Sequence, residues 1–383
     1  MRNLSCLFWT HLFICALCAT HLYADIVGLG DLPGGNSESF ATAISADGTV
    51  VTGYSSIASG NEAFRWTRET GMQGLGDLAG GSFSSQGLGI SGDGSTIVGI
   101  GEGSLRPEAF RWTGSAGMQS IPYPSNTFTT TANAVSENGQ VIAGSIHTST
   151  SGFRYAARWT ESNGWENLGT LPGAPSNFGG ATDISADGTR VIGNASSSNG
   201  QEAFLWTEEN GMIGLGDLAG GRFQSYANAI SADGTTVVGA SSIAGGAVEA
   251  FRWTESGGME GLGSLPGGRF ASRAYDVSAD GSIIVGDSET DDGYALFIYG
   301  EQFGGMRLLT DVLIEQGTDL SGWQSIEFVS SISADGSTIT GYGMNSFGNR
   351  EAFVASLNTI PEPGSFALLT LSGVFVLCER RRT

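Results

Sequence analysis

The stretch Ala41-Thr-Ala-Ile44-Ser45-Ala-Asp47-Gly48-Thr-Val50-Val51-Thr-Gly53 decides the fold, because most of the chain is a variation on it. The Asp-Gly element returns at Asp93-Gly94, Asn138-Gly139, Asp187-Gly188, Asp233-Gly234, Asp280-Gly281 and Asp335-Gly336, at intervals of 46, 45, 49, 46, 47 and 55 residues. A tandem period in this range marks a repeat architecture and has to be read before any single motif. Ser-x-Asp-Gly between β-branched runs is a hairpin signal, since Gly takes up positive φ without steric cost.

Outward from the turn, each cycle reads as four short strands. The first is the Ala-x-Ala-Ile-Ser segment. The second is the apolar run after Asp-Gly, followed at a fixed place by Gly53, Gly99, Gly144, Gly193, Gly239, Gly286 or Gly341, which implies close backbone approach or a bend. The third carries Phe64/Trp66 and its counterparts Phe110/Trp112, Ala157/Trp159, Phe204/Trp206 and Phe251/Trp253, with looser versions at Phe297/Tyr299 and Phe353/Ala355. Residues two apart share a strand face, so these aromatics form a stripe, and a Trp in each unit is expected to pack between units. The fourth strand is expected over segments such as Met212 to Leu218, before loops such as Pro33-Gly34-Gly35.

Four strands per cycle in tandem correspond to propeller blades. The expected fold is all-β: a β-propeller of about seven four-stranded blades, with an open solenoid of hairpins as the rival. The chain enters with a lone fourth strand, Ile26 to Leu32, and its last cycle lacks one, so the N-terminal strand is expected to close the ring and remove an exposed sheet edge. The long interval holds apolar residues at helical spacing from Met306 to Gly317, which predicts a short helix beside the sixth unit.

Composition narrows the function classes. Net charge is −21, and every basic residue is Arg. From Asp25 to Ile360, 13 Arg face 36 acids, a balance of −23. Nucleic acid and anionic membrane surfaces both require basic patches, so neither is an expected partner. Cys6, Cys15, Cys18 and Cys378 all lie near the ends, leaving the body without a thiol nucleophile, disulfide or thiolate metal site. His147 is the one His of the body and is expected in a loop, so Ser-His-Asp catalysis and the usual zinc sites are not expected.

The ends read as addresses. Residues 1–24, with Arg2, the apolar Leu4–Ala19 and a cut between Ala24 and Asp25, have the build of a secretory signal peptide, implying signal peptidase as a partner. Residues 25–357 form the repeat body. In 358–383, Pro361-Glu362-Pro363 precedes the apolar run Phe366–Cys378 and then Arg380-Arg381-Arg382. That run is short for a full span, and the arginines favour the cytoplasmic side. This tail resembles the PEP-CTERM sorting signal of Gram-negative bacteria. The resemblance implies an exosortase-type sorting enzyme as partner, a short hydrophobic helix making transient inner-membrane contact through 364–378, and delivery to the outer surface in company with extracellular polysaccharide.

The third-strand sequence, with its Leu-Gly-x-Leu and Ser-x-Asp-Gly companions, resembles the HAF family of extracellular repeats over nearly all of Ile26–Ser356. The family's His is replaced here by Glu62, Glu108, Glu202, Glu249 and Glu351, with Tyr155 and Tyr294 in the other copies. The resemblance implies a secreted or surface repeat protein of undefined activity.

No catalytic or cofactor-binding residue stands out. Asp276, Ser278 and Asp280, with Asp287 at the twelfth place, mimic a calcium loop, and Asp183, Ser185, Asp187 and Asn194 copy it more weakly. Calcium loops lead into helices, whereas these residues lead into a strand, so a hairpin turn that carries Asp is the preferred reading. The chain is therefore expected to be no enzyme but a binding or structural module, with extracellular polysaccharide as the ligand class. A glycan-active enzyme with paired carboxylates in the ring's channel and a purely structural matrix protein are the alternatives. Exposed aromatics on one ring face would favour binding, paired carboxylates at one channel mouth the enzyme, and a featureless acidic face the structural reading.

Overall fold

The repeated turn is held by its own side chains. Ser45 Oγ donates to Asp47 Oδ1 (2.7 Å) and accepts the Val50 N–H (2.9 Å), while the same Asp47 oxygen accepts the Thr49 N–H (3.0 Å). Gly48, at φ +71°, donates to the Ser45 carbonyl and closes the turn. At that φ an L side chain is strained, which is why Gly follows Asp in every copy. Asn138 plays the part of Asp with its amide oxygen, accepting from Ser136 Oγ at 2.9 Å.

The computed structural model describes residues 25–148 and 152–357. Ala24, Pro361, Glu362, Pro363, Arg380, Arg381 and Arg382, and the hydrophobic helix expected at 364–378, lie outside the described residues. Among the described residues no helix is long and apolar enough to cross a membrane. The fold is all-β and belongs to the β-propeller kind. Consecutive strands pair antiparallel within six contiguous segments, called here sheets A (39–74), B (80–120), C (127–167), D (179–214), E (220–261) and F (272–308). Sheets D and E touch through a single parallel pair, Gln201 with Gln224. Sheet G takes three strands from 323–356 and its fourth from Ile26–Gly28, which pairs antiparallel with Arg350–Ser356 in the register Ile26–Ala355. The first strand of the chain thus completes the last sheet and covers its edge.

One circuit of backbone hydrogen bonds ties the turns together. Ala46 donates to Gly92, Gly92 to Glu137, Glu137 to Ala186, Ala186 to Ala232, Ala232 to Ala279, Ala279 to Ala334, and Ala334 back to Ala46, all at 2.9–3.1 Å. These are the residues before each Asp or Asn of the turn. The sheets therefore stand around an axis, with the first strands innermost and this circuit at one end of the bore.

Every first strand carries a bulge, at Thr42, Leu88, Asn133, Thr182, Asn228, Tyr275 and Ser330. The bulge explains the fixed glycine of the second strand. A Cβ at Gly53, Gly99, Gly144, Gly193, Gly239, Gly286 or Gly341 would run into the carbonyl oxygen two residues before the bulge. Bulges twist and re-aim a strand, and here they turn polar residues toward the next sheet. Thr42 Oγ1 donates to the Gly87 carbonyl, Asn133 Nδ2 to Ala181, Thr182 Oγ1 to Ala227 and Asn228 Nδ2 to Ala274, at 2.7–2.9 Å.

The core lies between sheets. Phe64, Phe110, Phe204, Phe251, Phe297 and Phe353 are fully buried, and Trp66, Trp206 and Trp253 are nearly so. Phe251 and Trp253 of sheet E, for instance, pack with Leu205 and Leu215 from sheet D and its exit loop. Each such Phe contributes roughly 1.5–3 kcal/mol by leaving water.

Three local expectations need correction. The fourth strands are only three or four residues: Gly211–Gly214 does not reach Leu218, and the strand expected over Ile26 to Leu32 stops at Gly28. The chain bends at Gly216 (φ +79°) and drops Leu215 into the core. The helix expected from Met306 starts later. Gly305–Leu308 is the fourth strand of sheet F, and helix α1 spans Leu309–Glu315, burying Leu309, Val312 and Leu313 between sheets F and G. His147 sits in the strand Val141–Thr148, paired with Arg154, and not in a loop.

Candidate functional site

The two ends of the bore differ in kind. At the turn end lie the Asp-Gly turns and those joining third to fourth strands. They bring Asp47, Asp93, Asp187, Asp233, Asp280 and Asp335 together with Glu69, Glu161, Glu208, Glu209, Glu255 and Glu301, beside the cations Arg68 and Arg190, the latter donating to the Gly234 carbonyl (3.2 Å). The Asp carboxylates are internally engaged. The Ser45 hydroxyl holds Asp47 below the usual carboxylate range, and hydrogen bonds from Ser231 and Thr235 outweigh desolvation to do the same for Asp233.

At the mouth end, where first strands begin and second strands hand over to third, exposed apolar and aromatic side chains gather among acids such as Asp31, Asp217, Asp291 and Asp292. Leu105, Phe128, Phe153, Phe178, Tyr226, Phe270, Tyr294 and Phe347 are exposed there, and only Ile213 and Ile314 are large exposed apolar side chains elsewhere among the described residues. Phe83, Phe128, Phe223 and Phe270 recur two residues before the Ser or Thr that anchors each first strand. That hydroxyl is a joint between units. Ser85 Oγ donates to the Gly76 carbonyl (2.6 Å) and accepts the Ala63 N–H (3.0 Å), and Ser39, Ser225 and Ser272 repeat the pattern.

An arc of stacked rings lines one side of the mouth. Tyr54 stacks on Phe40 (5.0 Å), Phe40 meets Tyr342 edge-on (5.0 Å), Tyr342 stacks on Phe328 (5.4 Å) and Phe328 lies 4.7 Å from Tyr275. The arc crosses sheets A, G and F and ends where Tyr275 donates its hydroxyl to Asp287 (2.5 Å), which also pairs with Arg273 (3.5 Å). Arg273 in turn lies over the Tyr294 ring at 5.4 Å.

Deeper, the bore is a polar cavity of about 350 Å³ that includes Thr42, Asn133, Asp183, Asn228, Asp276 and Ser331. Asp183 accepts the N–H groups of Ile184 and, on the next sheet, Ile230 (2.8 and 2.9 Å). Asp276 accepts the Val277 N–H and, from sheet G, the Ile332 N–H and the Ser331 hydroxyl (2.8, 2.8 and 2.7 Å). Burial pushes Asp276 up to about 6, and burial with the nearby Asp276 charge pushes Asp183 up to about 7.

The residues of the calcium-loop motif are spread over three environments. Asp276 lines the bore, Ser278 and Asp280 hold a turn through a 2.7 Å hydrogen bond, and Asp287 faces Tyr275 and Arg273 at the mouth. In the weaker copy Asp183 lines the bore, Ser185 and Asp187 hold their turn, and Asn194 accepts the Ala227 N–H. Among the described residues no three His, Cys, Asp or Glu side chains gather as a metal site.

The glutamates at the His position of the repeat have a job the sequence did not disclose. Glu62, Glu202, Glu249 and Glu351 each accept, at 2.9–3.1 Å, the N–H of the positive-φ glycine in a Leu-Gly-x-Leu bend: Gly76, Gly216, Gly263 and Gly30. Glu108 accepts instead from Ser120 Oγ and Tyr123 OH. The fourteen-residue spacing from Glu to Gly was the available signal.

No protein-family model and no curated protein matches the chain. Solved structures do. An oligogalacturonate lyase in complex with manganese is similar over 87% of this chain and 93% of its own, with a TM-score of 0.56 and 14% identity. The β-propeller domain of the Trilobed protease from Pyrococcus furiosus, described as having an open velcro topology, matches over 86% of this chain and 98% of its own (TM-score 0.54, 10% identity). A prolyl endopeptidase matches over 84% of this chain (TM-score 0.55, 10% identity), which spans only 48% of that protein's length. At these identities the likeness establishes the propeller fold alone.

Proposed function

We propose that this chain is a seven-bladed propeller of the extracellular-repeat kind, exported and sorted to the cell surface, where its mouth face binds polysaccharide. The seven-fold count is supported by the circuit of seven turn-to-turn hydrogen bonds, which returns to Ala46. The observation that carries the binding reading is the segregation of exposed rings to one face. Contiguous exposed apolar surface marks an interaction site, and flat rings present faces on which sugar rings stack. Export and surface sorting rest on the two terminal segments, and signal peptidase and an exosortase-type enzyme are the partners they propose. The testing experiment is a binding screen of the purified chain against a panel of polysaccharides, with and without calcium. Saturable binding supports the module, and its loss on chelation would bring back the Asp276–Asp287 loop.

A second reading is favoured by one observation. Asp183 and Asp276 enter the same bore with carboxyls that titrate near neutrality, as a general acid–base pair requires. The lyase and peptidase propellers among the similar structures keep this reading alive. Product accumulating in the screen, and its loss in Asp183→Asn, would select it.

A further inference from the structure

Around the mouth, one position of the first strand varies from sheet to sheet, with six residue types in seven sheets: Phe40, Gln86, Thr131, Gly180, Tyr226, Arg273 and Phe328. In sheet D this position is Gly180, and a cation from sheet C fills its place. A Cβ at Gly180 would lie 2.9 Å from an Nη atom of Arg154 and 2.7 Å from Ser145 Oγ. The Arg154 guanidinium therefore rests in the mouth ring, half-buried.

Its surroundings do not balance its charge. No carboxylate lies within 4.0 Å of it among the described residues, and its one side-chain hydrogen bond is to Ser145 Oγ at 3.1 Å. A guanidinium has five N–H donors in a fork that matches a carboxylate. Next to it, Thr131 pairs with Ser145 across the strands, and its buried hydroxyl has no partner among the described residues. The neighbouring titratable group is His147, whose pKa desolvation and the Arg154 charge hold down, so it adds no second positive charge; neither of its forms is an anion. Partly buried charges are normally paired, and in a body of net charge −23 an acid was not scarce. The next ring positions are Tyr226, exposed, and Arg273.

We propose that the Arg154–Tyr226–Arg273 sector of the mouth is a subsite for the carboxylate of an acidic polysaccharide, with Arg154 and Thr131 donating to the carboxylate and Tyr226 facing the sugar ring. This rests on the polysaccharide reading above and narrows it from sugar polymers in general to uronate-bearing ones. Acids stand at both ends of the ring, and the ones that would repel such a polymer are those of the mouth. Those near this sector are Asp287, engaged by Tyr275 and Arg273, Glu289, Asp291 and Asp292 at the sheet F hand-over, of which Asp291 accepts the Gly268 N–H, and Asp183 and Asp276, deep in the bore and engaged by backbone N–H groups.

The test measures binding of the full chain to alginate as polyuronate, dextran as uncharged polymer and polyglutamate as acidic peptide, at two salt concentrations. Alginate is expected to bind best, and more weakly in high salt. Arg154→Ala should weaken alginate about tenfold or more, Arg154→Lys should recover part of that, and Arg68→Ala at the turn end should change nothing. Thr131→Val, a near-isosteric change, should weaken alginate without altering the melting temperature, which guards against a misfolded Arg154 variant. Equal binding of alginate and dextran, or alginate binding untouched by Arg154→Ala and Thr131→Val, would overturn the uronate subsite and leave the sugar-binding face standing. Polyglutamate binding as tightly as alginate would overturn the saccharide assignment, and no polymer bound at all would remove both proposals.

Discussion

The turn end and the mouth end are built from the same repeat and treat it in opposite ways. At the turn end the sequence hardly varies, and each Asp or Asn is bonded within its own turn, as in Ser231–Asp233–Thr235. At the mouth the equivalent positions run Phe, Gln, Thr, Gly, Tyr, Arg and Phe. Where the repeat is kept, the residues are serving the ring; where it is broken, they are free to serve something else. Exposed rings follow the same division, gathering at the mouth, whereas acids stand at both ends, with Asp31, Asp217, Asp291 and Asp292 among those at the mouth.

The largest expected effect tests the shared scaffold. Phe251→Ala, which empties a fully buried site between sheets D and E, should cost about 3–5 kcal/mol in urea unfolding, far more than any mouth substitution. Next comes the turn itself. Ser231 Oγ donates to Asp233 (2.6 Å) and accepts the Thr236 N–H (3.0 Å), so Ser231→Ala should cost about 1–3 kcal/mol. Polymer binding by the folded fraction should be unchanged; a loss would mean that the turn end takes part in recognition.

The bore between the two ends makes a pH prediction. Asp276 and Asp183 have folded-state pKa values raised to about 6 and about 7. Their unfolded values are near 4. Such groups contribute stability that is fully present below the unfolded pKa and lost as pH rises through the folded pKa. The melting temperature should therefore fall between about pH 4 and about pH 7, and the Asp183→Asn, Asp276→Asn double variant should show a shallower fall over the same window. A parallel slope in wild type and variant would show that the two carboxyls do not carry it. The smallest stability effect belongs to the mouth. Phe347→Ser, at a residue 87% exposed, should shift stability by no more than about 0.5 kcal/mol.

This division also decides how much the sequence disclosed. The period, the Asp-Gly turn, the fixed glycine and the closing N-terminal strand are repeated or complementary features, and each was legible from spacing alone. The reason for the glycine was only half legible: close approach was expected, but the bulge that causes it lies in the partner strand. Glu62 and its copies looked like a lost His, because a hydrogen bond to a glycine fourteen residues on leaves no local pattern. His147 looked like a loop residue because Thr148 and Ser149 follow it, although its strand continues to Thr148. The mouth was the least legible part. Phe40, Arg154, Tyr226 and Phe328 occupy positions where the repeat says nothing, and only the ring brings them to one place.

The most direct test of the account is to titrate one polysaccharide that binds the wild-type chain against two double variants of matched melting temperature. One, Phe128→Ser with Phe270→Ser, strips the mouth; the other, Glu208→Gln with Glu209→Gln, changes the turn end. The account predicts that the first loses binding at least about tenfold and the second binds as wild type. Binding that survives at the stripped mouth, or fails at the altered turn end, would contradict it.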